Sequence, residues 1–114
     1  MAPTADDSQE LLKGTLDMLI LQTLEREPMH GWGIAERIET LSREVFHLQT
    51  GTLYPALHRL LGKGWIAAEW RTTENNRQAR YYRLTAAGRK QLKAERASWE
   101  RASLAVNRIL AALS

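Results

Sequence analysis

The sequence predicts a mainly α fold with one small β-hairpin, and three patterns carry that prediction. Leu53, Leu57, Leu60 and Leu61 recur at helical spacing between a Thr50-Gly51-Thr52 start and the stop residues Gly62 and Gly64. Period-two alternation then sets in at Ile66, Ala68 and Trp70 and returns at Tyr82 and Leu84, with Glu74-Asn75-Asn76-Arg77-Gln78 as the tip between the two strands. Beyond Thr85, a plausible N-cap, Leu92, Arg96, Trp99, Ser103, Val106, Leu110 and Leu113 alternate steps of four and three, the seam of a helix that packs along another long helix. A helix, a turn, a helix and a basic hairpin in that order make a winged helix-turn-helix, here followed by a C-terminal dimerisation helix.

In chain order, residues 1–9 carry Pro3 and Asp6-Asp7 with little apolar content, so they read as a flexible tail ending in a cap near Asp7 or Ser8, with order from about Glu10. Leu12, Leu16, Leu19, Ile20 and Leu24 form the core face of a first helix, which Pro28 closes. His30-Gly31-Trp32-Gly33 opens a second helix with Ile34, Ile38 and Leu41 turned inward and Glu36, Arg37 and Glu39 in water. Val45-Phe46-His47-Leu48 reads as a short β-prone bridge to the helix of residues 50–63. With Thr52 as that helix's N-cap, Pro55 falls in the first turn, where its missing N–H breaks no helical bond. Asn75-Asn76 tolerates the positive φ that a hairpin tip needs. A helix over 86–112 is ~40 Å long, more than the preceding domain covers. Its stripe calls for a second copy of the chain, unless it folds back on its own domain.

Composition narrows the function. One domain fits 114 residues, divided into a DNA-binding part at 10–85 and the dimerisation helix at 86–114. Without cysteine there is no disulfide, thiolate metal site or cysteine nucleophile. The most apolar run, 16–24, is interrupted by Asp17 and Gln22 and is far shorter than the ~20 residues of a membrane span, so a cytoplasmic protein without membrane contact is expected. Residues 50–90 hold eight bases (Arg59, Lys63, Arg71, Arg77, Arg80, Arg83, Arg89, Lys90) against two acids (Glu69, Glu74), while the remainder holds eight against eleven. Such a one-sided field suits a polyanion, nucleic acid above all. His30, His47 and His58 have neither a nucleophile nor metal ligands at a useful spacing, so no catalytic residue, metal or cofactor is expected.

The physical chemistry of DNA recognition then assigns residues. Thr50, Gly51 and Thr52 offer N–H groups and hydroxyls at a helix N-terminus to phosphate or base edges. Tyr54, Pro55 and His58 project into the major groove, and Arg59 or Lys63 reaches guanine or the backbone, although Tyr54 could instead be a core aromatic. Asn76, Arg77, Gln78 and Arg80 on the hairpin suit a minor groove or flanking phosphates. Trp32, Trp65 and Trp70 read as core or subunit-interface residues. Leu92, Trp99, Val106, Leu110 and Leu113 form the dimerisation seam, on which Arg96 and Ser103 would be costly if dry.

Leu12-Lys13-Gly14-Thr15-Leu16-Asp17-Met18-Leu19-Ile20-Leu21, Pro28-Met29-His30-Gly31-Trp32-Gly33-Ile34-Ala35, Gly51-Thr52-Leu53-Tyr54-Pro55-Ala56-Leu57-His58-Arg59-Leu60, Asn76-Arg77 and Tyr82-Arg83-Leu84-Thr85-Ala86-Ala87-Gly88 together resemble the PadR-like transcriptional regulators, in their short form. The match spans about 11–110, with Trp32 where the family commonly has tyrosine. The resemblance implies a homodimeric repressor on a palindromic operator, released by a small molecule or stress signal. It also implies that Tyr54 is a contact tyrosine, and that Trp99, with Arg96 and Ser103, lines a central cleft for a small aromatic effector. The other reading of the fold is a winged-helix module that binds protein without specific DNA binding.

Overall fold

The structure, a computed structural model, describes the backbone of residues 5–114 and the side chains of residues 10–114. Its elements run α1 (Ala5–Leu24), β1 (Met29–His30), α2 (Gly31–Leu41), α3 (Thr50–Gly62), β2 (Ile66–Thr72), β3 (Gln78–Leu84) and α4 (Ala86–Leu113). The fold is thus mainly helical, with a small antiparallel sheet in the order β1-β3-β2. Helix α1 begins at Ala5, before the cap expected near Asp7 or Ser8, and residues 1–4 of the expected tail lie outside the described residues.

The core forms where the helical and strand periodicities converge. Leu12, Leu16, Ile20 and Leu24 of α1, Ile34 and Ile38 of α2, and Leu53, Leu57 and Leu60 of α3 are buried together with Ile66, Tyr82 and Leu84 of the hairpin. Burying each such large side chain contributes about 1.5–3 kcal/mol relative to leaving it in water. Leu41 departs from the expected inward face and is 73% exposed. It is the last residue of α2, and the chain turns away directly after it through Arg43 and Glu44, both at positive φ.

Val45-Phe46-His47-Leu48 is not a strand. Its β propensity finds no partner strand, and side chains of α2 and its cap satisfy its backbone instead. The Leu48 N–H donates to Glu39 Oε1 at 2.8 Å and the Phe46 N–H to Ser42 Oγ at 3.1 Å. Glu39, expected in water, therefore ties the turn to α2 while Leu48 drops into the core.

The sheet has one strand more than the expected hairpin. Met29 pairs with Tyr82 and His30 with Tyr81, so β1 caps the far edge of β3. Strands β2 and β3 pair from Ile66↔Leu84 to Thr72↔Gln78. The tip closes with Thr73 N–H donating to the Arg77 carbonyl at 2.7 Å and with Asn76 at φ +58°, as the asparagine pair predicts. At the base, Thr85 caps α4 as expected: its Oγ1 accepts from Gly88 N–H at 3.0 Å and donates to the Gly64 carbonyl at 2.7 Å. Gly88 packs so closely that a Cβ there would lie 1.8 Å from the Trp65 carbonyl oxygen. Beyond Leu92 no residue of α4 is buried, although the helix continues for six more turns, ~32 Å.

Candidate nucleic-acid interface

Helix α3 presents its leucines to the core and its other face to solvent. Thr50, Gly51, Thr52, Tyr54, Pro55 and His58 are all exposed on that outer face. The N-cap is Gln49 rather than Thr52, and it makes no side-chain capping bond. The Gln49 carbonyl accepts from Thr52 and Leu53 N–H at 3.0 and 2.9 Å, and the first turn carries no acid. This helix start leaves backbone N–H groups and a positive dipole end uncompensated by side chains. Starting two residues before Thr52, the helix places Pro55 beyond its first turn, where the ring removes the N–H that would have bonded the Gly51 carbonyl. Because both residues are exposed, water can satisfy that carbonyl.

Tyr54 is neither a core aromatic nor a free one. Its ring lies across Gly31, where a Cβ would sit 2.9 Å from the hydroxyl oxygen, so a larger residue there would push the tyrosine ring aside. The remaining surface of Tyr54 stays exposed.

Arg59 and Lys63, the latter the C-cap of α3, both make contacts within the chain. The Arg59 guanidinium bonds the Asp17 carboxylate of α1, and Lys63 folds back so that its Nζ lies 4.6 Å above the Trp65 ring. Both contacts lie at the surface, where Arg59 and Lys63 stay exposed. The wing supplies outward charge as well. Asn76 and Arg77 stand exposed at its tip, Gln78 donates from Nε2 to Thr72 Oγ1 at 3.1 Å, and Arg80 extends along the sheet with its guanidinium 5.9 Å from the Tyr82 ring centroid.

Between α2, α3 and the wing lies a cleft of about 600 Å³ that brings Tyr54, Arg77, Gln78 and Arg80 to one concave surface. It also gathers Trp32 and Trp70, 69% and 67% exposed, which the sequence reading placed in a core or subunit interface. They are not in the core. Trp70 lies at the fifth residue of β2, where the hairpin has already left the globule, and Trp32 follows the helix cap on the solvent side. Alternation along β2 gave no warning, because Glu69 and Arg71 point to the face opposite Trp70 and leave its own face apolar in pattern. Trp65, by contrast, is partly buried against the core.

On α4 the structure separates the residues expected to line one cleft. Trp99 borders a hollow of about 310 Å³ with Lys13, Asp17, Arg59 and Glu95, whereas Arg96 borders another with Glu25 and Arg89 on the other flank of the helix. The Ser103 hydroxyl donates to the Glu100 carbonyl at 3.3 Å. Leu92, expected at a subunit interface, is 1% exposed in the domain's own core, while Val106, Leu110 and Leu113 lie open together with Leu104 and Ile109. Burial raises the Glu95 pKa, opposed by the Gln91 hydrogen bond. One Glu95 oxygen, Oε2, is buried without a partner. Among the described residues no group of three His, Asp or Glu could hold a metal ion, and no helix is long and apolar enough to cross a membrane.

Comparison with known proteins agrees with this geometry. The sequence profile of the family described as "Transcriptional regulator PadR-like family" matches residues 20–94. A transcriptional regulator of Mycobacterium tuberculosis is 34% identical over 92 residues, covering 81% of this chain and 82% of that protein. A PadR family transcriptional regulator from Eggerthella lenta superposes with a TM-score of 0.75 at 33% identity, over 90% of this chain and 87% of the other. A transcriptional regulator from Clostridium thermocellum gives 0.79 at 28% identity, over 87% and 96%.

Proposed function

Since the chain belongs to the PadR-like family of transcriptional regulators, and so acts by DNA-binding regulation rather than catalysis, we propose that it works as a homodimeric, cytoplasmic repressor that two copies seat on a palindromic operator. In this reading residues 10–85 bind DNA and 86–114 join the copies. The observation that carries it is the outer face of α3 beside the wing, where Tyr54 meets the arginines of the wing in a cleft without a carboxylate, while the uncapped helix start opens on a neighbouring hollow that Glu36 and Glu39 border. Thr50, Gly51 and Thr52 hold a phosphate at the helix start, while Tyr54, Pro55 and His58 meet base edges in the major groove. Asn76, Arg77, Gln78 and Arg80 follow the flanking backbone. Arg59 and Lys63 are engaged by Asp17 and Trp65, so direct base readout falls to uncharged side chains and His58.

Dimerisation through the outer stretch of α4 is supported by its open stripe of Trp99, Val106, Leu110 and Leu113, an apolar surface that a monomer rarely leaves contiguous. Release by a small planar aromatic molecule is supported by the half-exposed Trp99 beside a hollow that holds Glu95 and Asp17. Arg96 and Ser103 join that site only if the second copy brings them across the two-fold axis.

A salt series on random-sequence duplex tests the reading. Affinity is expected to fall by about a thousandfold or more between about 50 and 200 mM salt if six or more phosphates are neutralised by the dimer. Affinity insensitive to salt would instead favour a protein-binding role for the same face.

A further inference from the structure

Two tryptophans exposed on one concave surface are a costly arrangement for a soluble chain, since each leaves a large apolar ring in water. Both border the cleft between the start of α2 and the wing. We propose that this cleft seats one sugar–phosphate strand of duplex DNA, with Trp32 and Trp70 packing on deoxyribose faces while Arg77 and Arg80 neutralise the adjoining phosphates. The inference rests on the DNA-binding reading above and adds to it a pair of non-ionic contacts.

The ring of Trp32 is held in place. It stacks on the His30 imidazole at 6.1 Å and 25°, and His30 is fixed in turn: its Nδ1 accepts from Gly33 N–H at 3.0 Å and its ring meets Tyr81 edge-on at 5.5 Å. Such a platform loses little rotamer freedom when a ligand covers it. Trp70 is the cross-strand partner of Arg80, so the hairpin presents an indole and a guanidinium side by side. That pairing matches the alternation along a nucleic-acid strand, whose sugars offer apolar surface and whose phosphates offer charge. The lining contains two arginines and no carboxylate, which disfavours a cationic occupant. The cleft is also continuous with Tyr54 on α3, so a strand lying in it flanks the groove that α3 enters.

Sugar and phosphate contacts carry no base sequence, so a random duplex suffices as the probe. In fluorescence-anisotropy titrations of the full chain, W32A/W70A is expected to bind about tenfold more weakly than wild type while keeping its salt slope, because the lost contact is apolar. R77A/R80A is expected to bind more weakly with the slope reduced by about 1 per arginine. W32F/W70F is expected to recover most of the affinity. Independently, in a W65F/W99F background, saturating duplex is expected to shield the remaining tryptophans from acrylamide quenching. Binding by W32A/W70A within twofold of wild type, or tryptophans as quenchable with duplex as without, overturns the proposal while leaving the DNA-binding reading intact. Failure of wild type and R77A/R80A alike to bind duplex overturns both.

Discussion

The stripes of α3 and α4 share a helical spacing and meet opposite fates. In α3 the residues Leu53, Leu57 and Leu60 are almost wholly enclosed by α1, α2 and the hairpin. In α4 enclosure ends at Leu92, and Val106, Leu110 and Leu113 continue the same periodicity in solvent. Periodicity reports that a helix has an apolar face; whether the covering surface belongs to the same chain depends on how far the helix runs beyond its domain. The proximal stretch of α4 is therefore a domain element, locked at Gly88 against the Trp65 carbonyl, and the distal stretch is an offered surface.

The sharpest way to break this contrast is to remove a leucine from each stripe. Leu57→Ala leaves a hole in a region with no solvent access and is expected to destabilise the chain by about 2–5 kcal/mol, read by urea denaturation at any protein concentration. Leu110→Ala removes the same atoms from an exposed site and is expected to cost at most about 0.5 kcal/mol in dilute protein. Its effect should appear instead as weaker self-association by analytical ultracentrifugation and a concentration-dependent melting temperature. Equal, concentration-independent losses for the two variants would mean that α4 folds back onto its own domain.

A milder test concerns the ion pair that holds α3 to α1. Asp17→Asn removes the carboxylate that engages Arg59. Because both side chains are partly exposed, the expected loss of stability is at most about 1 kcal/mol. The freed guanidinium gives the domain one more outward charge, so non-specific duplex affinity is expected to stay level or rise slightly, with the salt slope increased by at most about 1. A fall in affinity without loss of folding would show that Arg59 positions α3 for DNA through Asp17.

These contrasts also mark what could be read from the sequence. Local periodicity placed Leu12, Leu16, Ile20, Leu24, Ile34, Ile38, Leu53, Leu57 and Leu60 in the core, and residue chemistry placed the Thr85 cap and the positive φ of Asn76. The departures depend on side-chain and tertiary partners that local periodicity does not report. Strand β1 is two residues long and exists because β3 offers it an edge, a length at which alternation carries no signal. Val45-Phe46-His47-Leu48 has strand propensity but receives its hydrogen bonds from Glu39 and Ser42. Arg59 meets Asp17 across 42 positions, so its charge was legible and its direction was not. Trp32 and Trp70 are apolar enough for a core, and the solvent side of the start of α2 and the point at which the hairpin leaves the globule put them in a cleft.

The smallest effect tests the junction between the two stretches of α4, where Glu95 sits one turn past Leu92. Its carboxyl pKa is raised chiefly by burial and secondarily by Asp17, while the Gln91 hydrogen bond and Lys63 pull it down. Lys13 and Arg59 border the same hollow from α1 and α3. A raised folded-state pKa means that the native protein holds this proton at pH values where the unfolded chain has lost it. Stability from this group is therefore complete below the ordinary carboxyl value of 4.5 and declines as pH rises through the folded-state value. Glu95→Gln abolishes the titration, so its stability relative to wild type is expected to be least favourable near pH 4 and to improve to a plateau by neutral pH. Paired urea denaturations across that range read the difference directly, with the other carboxylates cancelling between the two proteins. A difference constant with pH would mean that water reaches Oε2 in solution, and that the hollow beside Trp99 is open where α4 leaves its domain.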